Sequence, residues 1–184
     1  MEREIIWKRN HRKGLINSFD VRIQKVLKKH KFAKLQKVKS TFLFGGVWTG
    51  KTVQAAWLCL EWHRLQYLER KSTDYIFTSP IKIFSEIKKN YGTHETAEQE
   101  ILSKYKNVRL LVLDDFGVER SNEWAFQMLY EIISFRYDNE KITIYTSNLS
   151  LEQLAKSLQD DRITRRIAQS CKNSIIEFTN KPYI

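Results

Sequence analysis

Proline is nearly absent from this chain, with two in 184 residues, and glycine is scarce, with six. No Pro/Gly/Ser-rich stretch marks a linker and no internal repeat appears, so the length argues for one domain. The two cysteines, Cys59 and Cys171, have no metal-spaced partner, which excludes a disulfide scaffold and points to a reducing, cytoplasmic setting. No run of eighteen apolar residues occurs, and the opening MEREIIWKRNHRK lacks the apolar core of a signal peptide. The expectation is a soluble protein without a membrane partner. A hydrophobic content of 42%, with five Trp and ten Phe, excludes a disordered tail.

Acidic residues are also scarce, but only at one end. Residues 1–40 hold three against thirteen Lys/Arg, a net +10, whereas residues 41–184 hold eighteen against nineteen, a net +1. The whole chain carries +11, which suggests a polyanionic partner. The excess reads either as a solvated helix face or as an electrostatic arm for nucleic acid, because Lys and Arg displace counterions from phosphates whatever the sequence. Trp7, Phe19 and Phe32 are interleaved with these charges, and they either stack on bases or anchor the arm. Residues 1–40 are thus expected to form a basic arm and lead-in helix, and residues 41–184 a nearly neutral core.

Helical spacing runs through 20–39, with Asp20 as N-cap, and the apolar run Thr41–Phe44 predicts a buried strand ending at Gly45-Gly46. Helices are predicted from Lys51 to about Arg70, from Pro80, over 94–106, from Asn122 to Tyr137, and over about 150–158 and 160–169. Strands are predicted at Tyr75–Thr78, Val108–Leu113, Ile142–Thr146 and Ile175–Phe178. Alternating strands and helices indicate an α/β fold, a parallel five-stranded sheet sandwiched by helices.

Three of the six glycines fall within Gly45-Gly-Val-Trp-Thr-Gly-Lys-Thr52, which matches G-x-x-x-x-G-K-[ST] between a predicted strand and a predicted helix. Glycines let the loop curl so that the N–H groups from Gly45 through Gly46, Val47, Trp48, Thr49, Gly50, Lys51, Thr52 and Val53 cradle phosphates. The helix dipole reinforces the nest. Lys51 would neutralise the β and γ phosphates of ATP, and the Thr52 hydroxyl would ligate Mg²⁺. Trp48 is an unusual occupant, and its ring is expected to pack outside the nest.

Asp114 and Asp115 end a buried strand, where open α/β sheets bind ligands. Asp114 would hold Mg²⁺, and Asp115 would polarise the attacking water. Asn148, just past another strand, would orient that water, or else serve as a turn residue, with Ser150 the better helix cap. In Asp161-Arg-Ile-Thr-Arg-Arg-Ile167, the residues Arg162, Arg165 and Arg166 share a helix face. They read either as ion-paired with Asp160 and Asp161 or as an arginine finger for a neighbouring subunit.

Taken together, FLFGGVWTGKT, LLVLDDFGVER, ITIYTSNLS and DDRITRRI make the chain resemble the AAA+ ATPases of the DnaC/DnaI helicase-loader and IstB transposition-helper group. The resemblance runs from about Leu15 to the last strand. It implies a P-loop NTPase core of the ASCE type, with Walker A at Gly45–Thr52, Walker B at Leu110–Asp115 and sensor 1 at Asn148. It implies an arginine finger at Arg166, with Arg162 the alternate, and self-association through that face. It further implies assembly around single-stranded DNA and action on a replicative DnaB-type hexameric helicase. Only about fourteen residues precede the family-like core, too few for a separate helicase-gripping domain, and no C-terminal lid domain is expected after residue 180. Three other readings stand beside the loader: an IstB-like transposition helper, a small-molecule kinase, and a non-hydrolysing ATP-gated binding module, the last because Asp115 reaches less far than Glu.

Overall fold

A computed structural model describes residues 2–29, 35–90, 96–117 and 123–179. Its centre is a sheet of β1 (Thr41–Gly45), β2 (Tyr75–Thr78), β3 (Leu110–Leu113), β4 (Ile142–Ser147) and β5 (Ile175–Phe178). The strand order is β2-β3-β4-β1-β5 and every pairing is parallel. The central strands are short and buried on both faces because helices cover the sheet on either side, and β3 is apolar throughout.

Strand alternation assigns each residue to a layer. Leu43, Leu110, Val112 and Ile144 face α4 (Lys51–Leu68), together with Ala55, Ala56 and Trp62 of that helix. Phe42, Leu111, Leu113 and Tyr145 face the opposite layer. That layer comprises α5 (Pro80–Lys89), α6 (Ala97–Asn107), α7 (Glu123–Asp138), α8 (Leu151–Leu158) and α9 (Arg162–Cys171). Ser150 caps α8 through a capping box, accepting from the Gln153 amide while the Gln153 side chain accepts from the Ser150 amide.

The N-terminal residues lie on α4. They form α1 (Glu2–Trp7), a π-helical turn (Lys8–Arg12), α2 (Lys13–Asn17) and α3 (Val21–Lys29). Trp7 is 2% exposed, and Ile16, Phe19, Leu27 and Val38 are also buried. Of the interleaved aromatics, Trp7 and Phe19 therefore anchor this segment, while Phe32 lies outside the described residues.

The single helix predicted over 20–39 is a correction. Helix α3 is followed, at residues 35–40, by irregular chain. Instead of a helical turn, side chains of α4 hold this backbone: Glu61 Oε2 accepts from the Leu35 amide (3.0 Å) and Arg64 donates to the Leu35 carbonyl (2.8 Å). Glu61 and Arg64 are themselves a buried ion pair at 2.9 Å. Val38 is buried there without helical periodicity.

Docking of α1 depends on a neutral imidazole. The Trp7 indole N–H donates to His63 Nδ1 at 3.0 Å, and burial, with His11 nearby, pulls the His63 pKa down to about 4. His63 is therefore unprotonated in the folded chain at pH values where an unfolded histidine takes a proton. Stability rises with pH between about 4 and 6.5 and is lost as the pH falls through that window. Between pH 6.5 and 5 the loss should be about 1.5 kcal/mol, read as a lower urea midpoint, and His63→Gln should flatten it. An equally steep decline in His63→Gln would assign it to another group.

Candidate functional site

Because residues two apart share a sheet face, the pattern that turns Leu110 and Val112 toward α4 does the same for Asp114, and the pattern of Ile142 and Ile144 does so for Thr146. Both meet the start of α4. Thr52 Oγ1 donates to Asp114 Oδ1 at 3.0 Å, and Thr146 Oγ1 donates to the same oxygen at 2.6 Å. The Thr146 hydroxyl also accepts from the Asp115 amide (2.9 Å), and the Asp114 amide donates to the Thr78 carbonyl (2.8 Å). The tips of β2, β3 and β4 and the first turn of α4 are tied together at Asp114, β2 through its backbone amide and the others through its carboxylate.

The loop before α4 is built around its lysine. Gly45 has φ +136°, and a Cβ there would stand 2.3 Å from the Phe178 carbonyl oxygen of β5. Gly50, at φ 95°, opens α4 from the left-handed region. The Lys51 ammonium donates to the carbonyls of Gly45 (2.9 Å) and Gly46 (2.6 Å), and Thr49 Oγ1 closes the turn on Gly46 O at 2.9 Å. Lys51 is only 5% exposed. Burial lowers its pKa, against the opposing pull of Asp115 and Asp114. Val47 and Trp48 project into solvent, so the Trp48 ring does lie outside the loop.

Burial raises the Asp114 pKa, with Asp115 acting the same way, while the bonds from Thr146 and Thr52 and the charge of Lys51 act against it. The second oxygen of Asp114 takes no hydrogen bond among the described residues. Thr52 and Asp114 are hard oxygen donors side by side, a set that fits Mg²⁺, which keeps waters and substrate phosphates as its other ligands. Among the described residues no group of three or more His, Cys, Asp and Glu could hold a metal, and Mg²⁺ at a triphosphate needs none. Asp115 is exposed and left-handed at φ 56°, the kind of strained backbone that clusters at functional sites. Asn148 is exposed one residue past β4.

The three arginines of α9 lie apart from this centre in their interactions. Arg162 pairs with Asp160 at 2.8 Å and lies over the rings of Phe126 and Tyr130 on α7. Arg165 pairs with Asp161 at 2.7 Å. Arg166 lies 4.7 Å over the Tyr137 ring, and its nearest acid, Asp138, is 3.7 Å away. Within one chain, the structure brings together the loop, Thr52 and Asp114, and it does not bring the arginines to them. Thr146 is the site residue that sequence reasoning missed; its signal was the even spacing from Ile144, which repeats that of Asp114 from Val112.

A parallel sheet that sets a lysine-filled glycine loop against the acid two strands away defines a P-loop nucleotide-binding core. Within that class, the chain belongs to the family of IstB-like ATP binding proteins, whose family model matches residues 11–174. It is 27% identical over 120 residues to the replicative helicase loader DnaC of Escherichia coli (strain K12), a match covering 65% of this chain and 46% of that protein. The chain thus spans about half the length of the curated loader it matches. In fold it is similar to the crystal structure of the DnaC helicase loader, with TM-score 0.62 and 21% identity over 89% of this chain and 96% of the other. AMPPCP-bound DnaA from Aquifex aeolicus gives the same TM-score and identity over 89% of this chain and 49% of that one. No helix among the described residues is long and apolar enough to cross a membrane.

Proposed function

We propose that this protein binds and hydrolyses ATP with Mg²⁺ and acts in DNA replication as a loader or remodeller of a replicative DnaB-type hexameric helicase on single-stranded DNA, in the cytoplasm. The observation that carries the ATPase reading is the junction of Thr52, Asp114 and Thr146 beside the Lys51-filled loop. On ATP binding, the Lys51 ammonium exchanges the Gly45 and Gly46 carbonyls for phosphate oxygens, and the loop amides from Gly45 to Val53 take the rest. Thr52 and Asp114 would hold Mg²⁺, which supplies charge neutralisation at the phosphates when bound. Thr146 keeps the Asp114 carboxylate aimed by its bond to Oδ1.

Asp115 takes the proton of the attacking water, and Asn148 orients that water at the tip of β4. Arg166 comes from a neighbouring copy and meets the charge that develops at the γ-phosphate. It is the α9 arginine with the longest ion pair, so it leaves its acid at the smallest loss. The helicase reading leans on the likeness to the DnaC loader. A second reading, a helper of DNA transposition, is favoured by the IstB-like match over residues 11–174.

Native mass spectrometry with ATP, single-stranded DNA and a DnaB-type helicase separates the two. The expected result is an ATP-dependent complex that contains the helicase. A complex formed with a transposase and duplex DNA, and none with the helicase, would sink the loader reading.

A further inference from the structure

The cations of α3 share one arc. At roughly 3.6 residues per turn, Arg22, Lys25, Lys28 and Lys29 fall on the exposed side with Val21, whereas Leu27 is buried and Ile23 packs with it against α4. Lys28 donates to Gln24 Oε1 at 3.2 Å, and among the described residues none of the four is in a salt bridge. Asp20, the nearest acid in the chain, spends one oxygen on the Arg22 amide at 2.8 Å, capping α3.

Trp48 stands beside this arc. Its φ of 65° is a left-handed conformation that disfavours any residue with a Cβ, and the residue is 68% exposed. The Arg22 guanidinium lies 5.5 Å from the centre of that ring. An indole kept in water on a strained backbone, next to a helix face of unpaired cations, needs a reason outside the core. Single-stranded nucleic acid supplies one, because cations track its phosphates while an aromatic face takes an unpaired base. Duplex DNA, with its bases already stacked, has no use for the ring.

We propose that the exposed face of α3 and the Trp48 indole form a single-stranded DNA surface lying against the phosphate loop. Trp48 is its stacking platform, and Arg22 exchanges the ring for a backbone phosphate when a base arrives. The assignment rests on single-stranded DNA being the partner, and it places that partner at a definite site. Since Trp48 is part of the loop that cradles the nucleotide, the strand and the nucleotide meet on one segment. By linkage, whatever one does to the affinity of the other is returned by the same factor.

The test follows binding of a labelled, roughly 20-nucleotide oligo-dT, without nucleotide, across a salt series. Trp48→Gly should bind about tenfold more weakly with an unchanged salt slope, because it removes stacking and no charge. Glycine suits the φ at this position, so the fold should hold. The double variant Lys25→Ala/Lys29→Ala should lower the slope of log K against log salt by about 1.4, close to 0.7 for each phosphate no longer neutralised. Wild-type affinity in Trp48→Gly would overturn the platform, and an unchanged slope in the double variant would overturn the basic face. Should the wild-type chain fail to bind oligo-dT, the partner itself is wrong. Should it bind while both variants match it, single-stranded DNA stands as partner and this site alone is overturned.

Discussion

Lys51→Ala is expected to weaken ATP binding more than 100-fold, measured by calorimetry with the wild-type chain alongside. The magnitude follows from the exchange that binding requires. In the free chain the ammonium is satisfied by two neutral carbonyls, Gly45 O and Gly46 O. With a triphosphate it trades them for charged oxygens, and hydrogen bonds to charged groups contribute about 1.5–3 kcal/mol each. Two such bonds amount to about 3 kcal/mol or more, and every 1.4 kcal/mol is tenfold. The free site is also electrostatically tense: burial lowers the Lys51 pKa and raises that of Asp114. Phosphates and a divalent cation relieve both, so the site is arranged to be more comfortable full than empty. Lys51→Arg should recover little, because a planar fork does not replace a compact ammonium inside a tight loop. Unchanged affinity in Lys51→Ala would remove the phosphate-loop assignment.

From residue 41 onward the layer structure was legible, because buried parallel strands write themselves as apolar runs and the glycine loop sits at a strand-to-helix turn. Boundaries moved by a residue or two; β3 begins at Leu110 rather than Val108, because Val108 is the C-cap of α6. The N-terminal helices were not legible. Over residues 2–17 the buried side chains are Trp7 and Ile16, too far apart to show a period. What holds α1 are contacts to α4 made 56 to 64 residues away in sequence, the Trp7 indole on His63 and the Arg3 guanidinium on the Tyr67 carbonyl. Thr146 was hidden for a different reason: a threonine in a strand is ordinary, and its role emerges only once β4 is known to pair with β3. The charge pattern was visible as an excess, but its division into a buried anchoring side and an exposed arc on α3 needed the fold. Arg136 did leave a trace. It follows Leu129, Ile132 and Ile133 on the apolar face of α7, where a cation has no business unless something buried needs it.

That something is a set of backbone carbonyls, and removing the arginine should be the most damaging single change to stability. Arg136 is 1% exposed and has no carboxylate partner among the described residues. Its Nη1 donates to the carbonyls of Tyr105 (3.0 Å), Lys106 (3.1 Å) and Val108 (2.7 Å), its Nη2 to Ile142 O (2.6 Å), and its Nε to Thr143 Oγ1 (2.8 Å). Tyr105 and Lys106 end α6, where carbonyls lack helical partners and the dipole is negative, so the guanidinium serves as both C-cap and counter-charge. It also fastens that end to the start of β4, the strand that carries Thr146 to the site. Burial brings its pKa down to about 10, which leaves it protonated at neutral pH. Arg136→Ala strands several buried acceptors at about 1–3 kcal/mol each, partly relieved by entering water, for a net loss of about 3–5 kcal/mol. Against a typical total of roughly 5–15 kcal/mol, the variant should sit near its unfolding midpoint or show a greatly lowered one in urea. Arg136→Lys keeps the charge but not the fork, so it should recover only part of the loss. A midpoint shift worth less than about 1 kcal/mol in Arg136→Ala would mean that water replaces the guanidinium at these carbonyls, and that the end of α6 and the start of β4 are held by packing alone.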